Sequence, residues 1–457
     1  MYDHKTEKTI LKGANMSKMK ESGLPWIGEI PVEWGENKIK YIAEINPPLV
    51  TKYNDDEAVG YIPMETVKNG YVKPLKKKKS DLSTGLTGIQ ENDIIMAKVT
   101  PCFENGNIAI ATGLSQKIAF GSSELFVFRS KKTINRRYLF YYLQNAGFMN
   151  ECVSTMTGTG GLKRISSQFV KNAYITYPAI AEQRAIADYL DDRCSKLDEI
   201  ITEAEKSIEE YKELKQAVIF EAVTKGLDKN APMKDSGVEW IGEMPSSWAL
   251  VRIPRILDYR DVYPLGDGDH GMIKTEDYQN EGIPYIRVQN LGWGTDLLLD
   301  NVVYISAENN EKIKSSQLKP NDVLFCKTGG TIGKTGMVPE NLPVSNTTSH
   351  VGKITVNPAY NARYVFYVLS SNVGYRQFWE IACQKTTRPE LSIAETRQIR
   401  LTWPSSRKEQ DDIVSYLDSI VPEYDNLISE KQSLIEDLKA YKKSLIYEVV
   451  TGKRRVV

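Results

Sequence analysis

From Leu190 onward, apolar residues recur at spacings of four and three: Cys194, Leu197, Ile201, Ala204, Ile208, Tyr211, then Val218 and Ala222. The spacing returns at Leu417, Val421, Tyr424 and Ile428, then Ile435, Leu438, Leu445 and Val449. This period predicts two long amphipathic helices, each carrying a coiled-coil seam. Lys215 and Lys442 interrupt the seams at equivalent places. Pro422 is expected to delay or kink the second helix, because its ring cannot donate to the helical ladder. Neither helix can bury its stripe alone. Packing one against the other is the economical solution, since separate surface helices would leave long apolar stripes in water. Period alone does not fix their polarity.

Ahead of each helix the pattern changes to short β-like runs between turn residues. The runs are Val59–Met64, Asp93–Val99 and Leu125–Arg129 in the first half, and Ile283–Val288, Val323–Lys327 and Lys353–Val356 in the second. Each half also has one aromatic-rich helical stretch, Arg137–Met149 and Arg363–Ile381, whose Tyr, Phe and Leu at helical spacing read as core. Pro178 and Pro404 close the two lobes.

The two halves are copies. KESGLPWIGEIPVEW (Lys20–Trp34) aligns with KDSGVEWIGEMPSSW (Lys234–Trp248), and NDIIMAK from Asn92 aligns with NDVLFCK from Asn321. NRRYLFYYL from Asn135 aligns with NARYVFYVL from Asn361. Glu182–Thr224 then matches Glu409–Thr451 without a gap, 17 of 43 positions being identical. The second copy carries about 15 extra residues early in its lobe. The divisions expected are a flexible extension 1–19, a lobe 20–180, a helix 181–228, a linker and start of the second repeat 229–248, a lobe 249–408 and a helix 409–457.

Charge sharpens this plan. Lys plus Arg and Asp plus Glu balance at 59 each, which by itself speaks against a nucleic-acid binder. Divided by segment, however, residues 36–180 carry a net +7 and residues 249–408 a net +3, whereas 181–228 and 409–457 carry −6 and −3. Two basic lobes on acidic helices suit a protein that touches DNA at two points, although a charge run also suits a solvated face. Lys76–Lys79 is the densest basic run and fits either a phosphate contact or an exposed loop.

Catalytic chemistry has little to build on. The only histidines are His4, His270 and His350, too few for a zinc centre or a His-based triad. The five cysteines are isolated and read as free thiols of a reducing cytoplasm. No apolar run approaches the roughly 18 residues of a membrane span, and the polar, Lys-rich start lacks the apolar core of a signal peptide. Asn46-Pro47-Pro48-Leu49 is close to the loop with which amino-methyltransferases hold a flipped base, but Leu49 has no ring to stack. TGGTIGKT (Thr328–Thr335) nearly matches a phosphate-binding loop, with Thr328 where the first glycine is needed. Asp93 and Lys98 lack the second acid of a nuclease strand.

MKESGLPWIGEIPVEW, VGYIPMETVKNGY, ENDIIMAKVTPCFENGNIAI, FGSSELFVFR and the run from Gly158 to Asp191 resemble specificity subunits of type I restriction–modification enzymes. So do NDVLFCKTGGTIGKTGMV and EQDDIVSYLD in the second copy. The resemblance covers about nine-tenths of the chain. It implies an α+β fold with a pseudo-two-fold internal repeat: two target-recognition domains of mixed β-sheet and helices, joined by two long helices pairing as an antiparallel coiled coil. It implies that each lobe reads one half of a split double-stranded DNA site, with the helices as a ruler. It further implies docking of two modification subunits, which bind S-adenosylmethionine and methylate adenine, and of restriction subunits, which use ATP and Mg. The subunit itself would perform no chemistry and bind no cofactor. A DNA methyltransferase or nuclease acting alone, and a coiled-coil scaffold that never meets DNA, remain the alternatives.

Reading bases requires side chains at base edges and loops that let the backbone come close. The candidates in the first lobe are Lys98, Thr100, Ser122, Ser123 and the loop Gly158–Arg164, with Gly160, Lys163 and Arg164. In the second they are Lys327, Thr328, Gly329, Gly330, Thr331 and Lys334, then Thr348–His350 with Ser349 and His350, then Lys385, Thr386, Thr387 and Arg388. Each cluster also fits a plain turn. Lys98 and Lys327 recur in both lobes, so they suit a phosphate contact or the lobe's own framework better than a base. Lobe-specific residues such as Arg388 are the stronger specificity candidates.

Overall fold

The computed structural model describes residues 18–159, 161–383 and 389–456. The described residues form two compact units, one within 1–204 and 433–457, the other within 205–432. Each unit takes a lobe from one repeat, and a piece of each of the two long helices, Ile180–Lys225 and Arg407–Val450.

In the first unit, one four-stranded sheet runs Leu75–Lys78, Ala58–Ile62, Ile118–Gly121, Thr87–Gln90, its central pair parallel. A second runs Ala43–Ile45, Leu125–Ser130, Ile94–Ala97, Ile108–Ile110, all antiparallel. The second unit repeats both sheets. One is Val303–Ile305, Ile283–Ile286, Ser345–Thr347, Gln317–Leu318, again with a parallel central pair. The other is Leu265–Gly266, Val351–Ile354, Val323–Cys326, Thr335–Met337. The extra residues of the second copy are not one insert. Ile45 corresponds to Leu265, Ile62 to Ile286 and Asp93 to Asp322, so the shift grows step by step over three connections.

The repeated motifs hold the lobes together. Asn92 and Asn321 take positive φ at the turn before a sheet strand, and the next residue, Asp93 or Asp322, accepts the amide of Gln90 or Lys319 at 2.8 and 2.9 Å. Trp34 and Trp248 are buried, and their indole nitrogens donate to Glu182 and Glu409 in the first turn of each long helix. Gln183 and Gln410 accept the amides of Asn135 and Asn361, the N-caps of the aromatic helices. The repeated EQ pair is thus a clasp between lobe and helix.

Each expected aromatic stretch is two helices rather than one: Arg136–Gln144 and Ala146–Ser154, then Ala362–Ser370 and Asn372–Ala382. Asn145 and Ser371 break them, because each side chain caps the following helix. The aromatic residues Tyr138, Tyr142, Tyr364 and Tyr367 are buried in the core.

Within each unit the long helices pack antiparallel. In the first, Asp198 meets Lys442 at 2.7 Å, and Glu182 meets Arg455 beyond the other helix's end. In the second, Lys215 meets Asp425 at 2.7 Å, and Ile219 and Val223 share a core with Ile413 and Leu417. The two lysines that interrupt the apolar seams are therefore bridging residues. Pro422 does not delay its helix, which starts at Arg407. It lies inside the helix, where its ring leaves the Asp418 carbonyl without the usual amide donor.

Each long helix ends against the lobe of the other repeat. Gly452 takes φ +74°, and a side chain there would collide with Pro31 and Trp34. Gly226 takes φ +72° against Trp248 and Pro245. Only glycine supplies both the left-handed turn and the clearance.

Candidate nucleic-acid interface

Three chain segments are knotted together at one end of the first unit's antiparallel sheet. Lys98, just past the strand Ile94–Ala97, donates its amide to the Glu124 carbonyl at 3.0 Å and accepts from the Ile165 amide at 2.9 Å. Thr100 donates to the Lys163 carbonyl at 3.0 Å. The second unit repeats this pattern bond for bond. Lys327 donates to His350 at 3.0 Å and accepts from Leu391 at 2.8 Å, and Gly329 donates to Pro389 at 2.9 Å. These bonds set up equivalences: Glu124 with His350, Arg164 with Glu390, Thr100 with Gly329. The backbone frame is shared and the side chains mounted on it differ in charge and shape.

In the first knot, Arg164 grips Glu124 through Nε and Nη2 at 2.9 to 3.1 Å. Lys98 stands 4.0 Å from the same carboxylate, with its ammonium over the Phe126 ring. Thr100 is buried; its hydroxyl donates to the Gly161 carbonyl at 2.7 Å and accepts the Lys163 amide at 2.9 Å. Ser122 accepts the Glu124 amide and shapes the turn, at whose tip Ser123 is exposed. Lys163 and Arg164 are exposed. Lys98, Thr100, Ser122, Ser123, Lys163 and Arg164 thus come together around Glu124; Gly160 lies outside the described residues.

In the second knot, Lys327 is only 5% exposed and sits 2.9 Å from Asp267 and 3.4 Å from Glu390. Of the two roles open to this recurring lysine, its position favours holding the lobe. The Thr328 hydroxyl lies 2.9 Å from His350 Nδ1, and Thr331 meets the Cys326 thiol. Ser349 donates its amide to buried Asp269 at 2.8 Å. His350 is exposed, and Lys334 is half-buried on the same loop. Gly329 has φ +75°, and a side chain at Gly329 or Gly330 would meet none of the described residues within 4 Å. Gly330 is exposed and Gly329 half-buried. Lys385, Thr386, Thr387 and Arg388 lie outside the described residues.

The residues missed in the sequence are the acids: Glu124, Asp267, Asp269 and Glu390. A search for basic and hydroxyl side chains passes over them, and only Glu124, directly after Ser122-Ser123, had a local signal. The other motifs resolve into framework. TGGTIGKT forms a short 3-10 turn at Gly329–Thr331 and then a strand at Thr335–Met337, so no helix follows to receive a phosphate. Asn46 exchanges hydrogen bonds with Val127 at the sheet edge, 2.8 Å each way. Among the described residues no group of three or more His, Cys, Asp or Glu could hold a metal ion. All five cysteines are free. No described helix is long and apolar enough to cross a membrane.

The profile described as "Type I restriction modification DNA specificity domain" matches residues 31–210 and 259–437. The MjaVIII type I restriction enzyme specificity subunit of Methanocaldococcus jannaschii is 24% identical over 438 residues, 93% of this chain and 94% of the relative. The EcoAI specificity subunit of Escherichia coli is 32% identical over 195 residues, 42% of this chain and 33% of that longer relative. A chain solved in work on complex assembly and conformational transition of the type I R-M system superposes with a TM-score of 0.68 at 16% identity, over 93% of this chain and 99% of its own length. That likeness is one of fold.

Proposed function

Since the chain belongs to the type I restriction modification DNA specificity family, we propose that its two knots are the DNA-reading surfaces, one for each half of a bipartite, asymmetric site. The observation that carries this reading is the pair of matched backbone frames with unmatched side chains. A common frame places a turn tip and a loop at the same end of each sheet. Different tips, Glu124 with Arg164 against His350 with Glu390, then select different bases. Arginine suits guanine and a carboxylate suits the amino group of cytosine in the major groove. Among the described residues nothing stands within 4 Å of a side chain placed at Gly329 or Gly330, which leaves room for a nucleic-acid backbone.

The target-recognition domains are residues 20–180 and 249–408, and the antiparallel helices fix the spacing between half-sites. The acidic helices take two modification subunits, and restriction subunits join that assembly in the cytoplasm. S-adenosylmethionine belongs to the modification subunits, and ATP and Mg to the restriction subunits. This chain supplies recognition and assembly, with no catalytic residue of its own.

The decisive experiment is binding of duplexes with intact or scrambled half-sites by the chain assembled with its modification subunits. Selective binding that needs both half-sites is expected. Binding without selectivity, or none, would overturn the reading in favour of a scaffold; methylation or cleavage by the purified chain alone would favour an enzyme.

A further inference from the structure

The first unit carries a second concave surface, at the other end of the same sheet. It is an open cleft of about 520 Å³ beside Asp93, Arg129 and the starts of the helices Arg136–Gln144 and Ile180–Lys225. The strand Ile94–Ala97 separates it from the knot at Lys98, roughly 16 Å along an extended chain. One ligand group cannot touch both places.

The cleft is strongly cationic. Arg129, Lys131, Lys132, Arg136, Arg137 and Arg184 line it. Its two acids are already engaged. Asp93 accepts from Arg129 and the Gln90 amide, and Glu91 accepts the amides of Gly113 and Leu114 at 2.8 and 2.9 Å. Arg129 is matched by Asp93, and Arg137 by Asp188 and Asp191. Lys131 reaches, among the described residues, only the Lys40 carbonyl. Among the described residues, Lys132, Arg136 and Arg184 have no ion-pair partner. Arg136 is half-buried in the cleft wall, and its Nε finds no acceptor among the described residues. A guanidinium with no carboxylate partner is suited to a charge-assisted pair with an oxyanion that enters the cleft.

The second repeat shows that the frame does not require these cations. Positions equivalent to Lys131, Lys132, Arg136 and Arg184 hold Asn357, Pro358, Ala362 and Asp411. There Arg407 closes over the Pro358 carbonyl and the Asp411 carboxylate, and Thr355 takes the place of Arg129 beside Asp322. The positive cleft is therefore a property of one lobe only.

We propose that this cleft is an anion site for phosphoryl groups, separate from the base-reading knot, with Lys132, Arg136 and Arg184 as its free cations. The cleft has room for more than one phosphate and three cations to pair with them, which suits a chain of phosphates: a free polyphosphate or the phosphodiester backbone of a duplex.

The test titrates the full-length chain with sodium triphosphate at low ionic strength by calorimetry. Saturable, salt-sensitive binding is expected, weakened about tenfold for each guanidinium removed in Arg136→Ala and Arg184→Ala. Arg184 is exposed, so Arg184→Ala keeps the test valid if Arg136→Ala fails to fold. Competition by a duplex of unrelated sequence would assign the site to backbone phosphates, and lack of competition would assign it to a free polyphosphate. No saturable binding by the unmodified chain, or equal binding by a folded Arg184→Ala variant, would overturn the proposal. Either failure leaves half-site selectivity untouched, so it is distinguishable from failure of the DNA-reading proposal.

Discussion

The hydroxyl of Tyr138 lies 3.0 Å from the carbonyl oxygen of Val450, 312 residues further along the chain. It lies 2.8 Å from the Thr176 carbonyl of its own lobe and shares its single hydrogen between the two. Tyr364 does the same in the other unit, 3.0 Å from Thr402 and 3.4 Å from Val223. Each lobe is thus closed by the end of the other repeat's helix.

Removing that hydroxyl should loosen a helix end without opening a cavity. Tyr138→Phe leaves two buried carbonyls short of a donor and is expected to cost about 1–2 kcal/mol. Hydrogen exchange at residues 447–452 should rise while the second unit is unaffected. Unchanged exchange there would show that the hydroxyl does not hold the helix.

The bridging lysines should respond unequally to the loss of either partner. The Lys215 side chain is 6% exposed, and that of Asp425 is 42%. Asp425→Ala strands a buried ammonium and is expected to cost about 2–3 kcal/mol. Lys215→Met keeps the apolar stem, leaves a carboxylate that water can reach, and should change stability by less than about 1 kcal/mol. Urea unfolding of both variants checks the order; a reversed order would mean the ammonium is solvated.

Half-site recognition should be separable by lobe. Arg164→Ala leaves Glu124 with Lys98 alone and removes the guanidinium at the first knot. Recognition of one half-site should weaken by about 1–3 kcal/mol, with the other unchanged. Glu390→Gln at the equivalent place in the second knot should affect the opposite half-site. Equal losses at both half-sites, measured with duplexes altered one half at a time, would refute separate readers.

Asp322 makes the second unit sensitive to pH. Burial pushes its carboxyl up from 3.8 to about 6, although Lys353 and Thr355 draw it down. The folded state therefore holds this proton more tightly than the unfolded chain does. The stabilisation is complete below about 3.8 and is lost as pH rises to about 6, a change of about 3 kcal/mol. Asp322→Asn should abolish that part of the pH dependence. Stability curves of the two proteins that stay parallel between these pH values would exclude a raised carboxyl.

Much of this protein is written in local pattern. Spacings of four and three require helices, and aromatic residues at helical spacing require a core, because both follow from short-range geometry. The four matched motifs establish the duplication, and with it the expectation that two lobes share a frame. The interruption of both seams by lysine was equally visible, but its meaning was not. Lys215 and Lys442 look like flaws until Asp425 and Asp198 are placed opposite them by pairing across more than 200 residues. The same limit applies at the knots. Lys98 and Lys327 read alike in sequence, yet one stands beside a partly exposed Arg164–Glu124 pair and the other is buried between Asp267 and Glu390. Period and motif depend on neighbours within a few residues. Burial, ion pairing and the closing of each lobe by a distant helix end depend on contacts that only the folded chain creates.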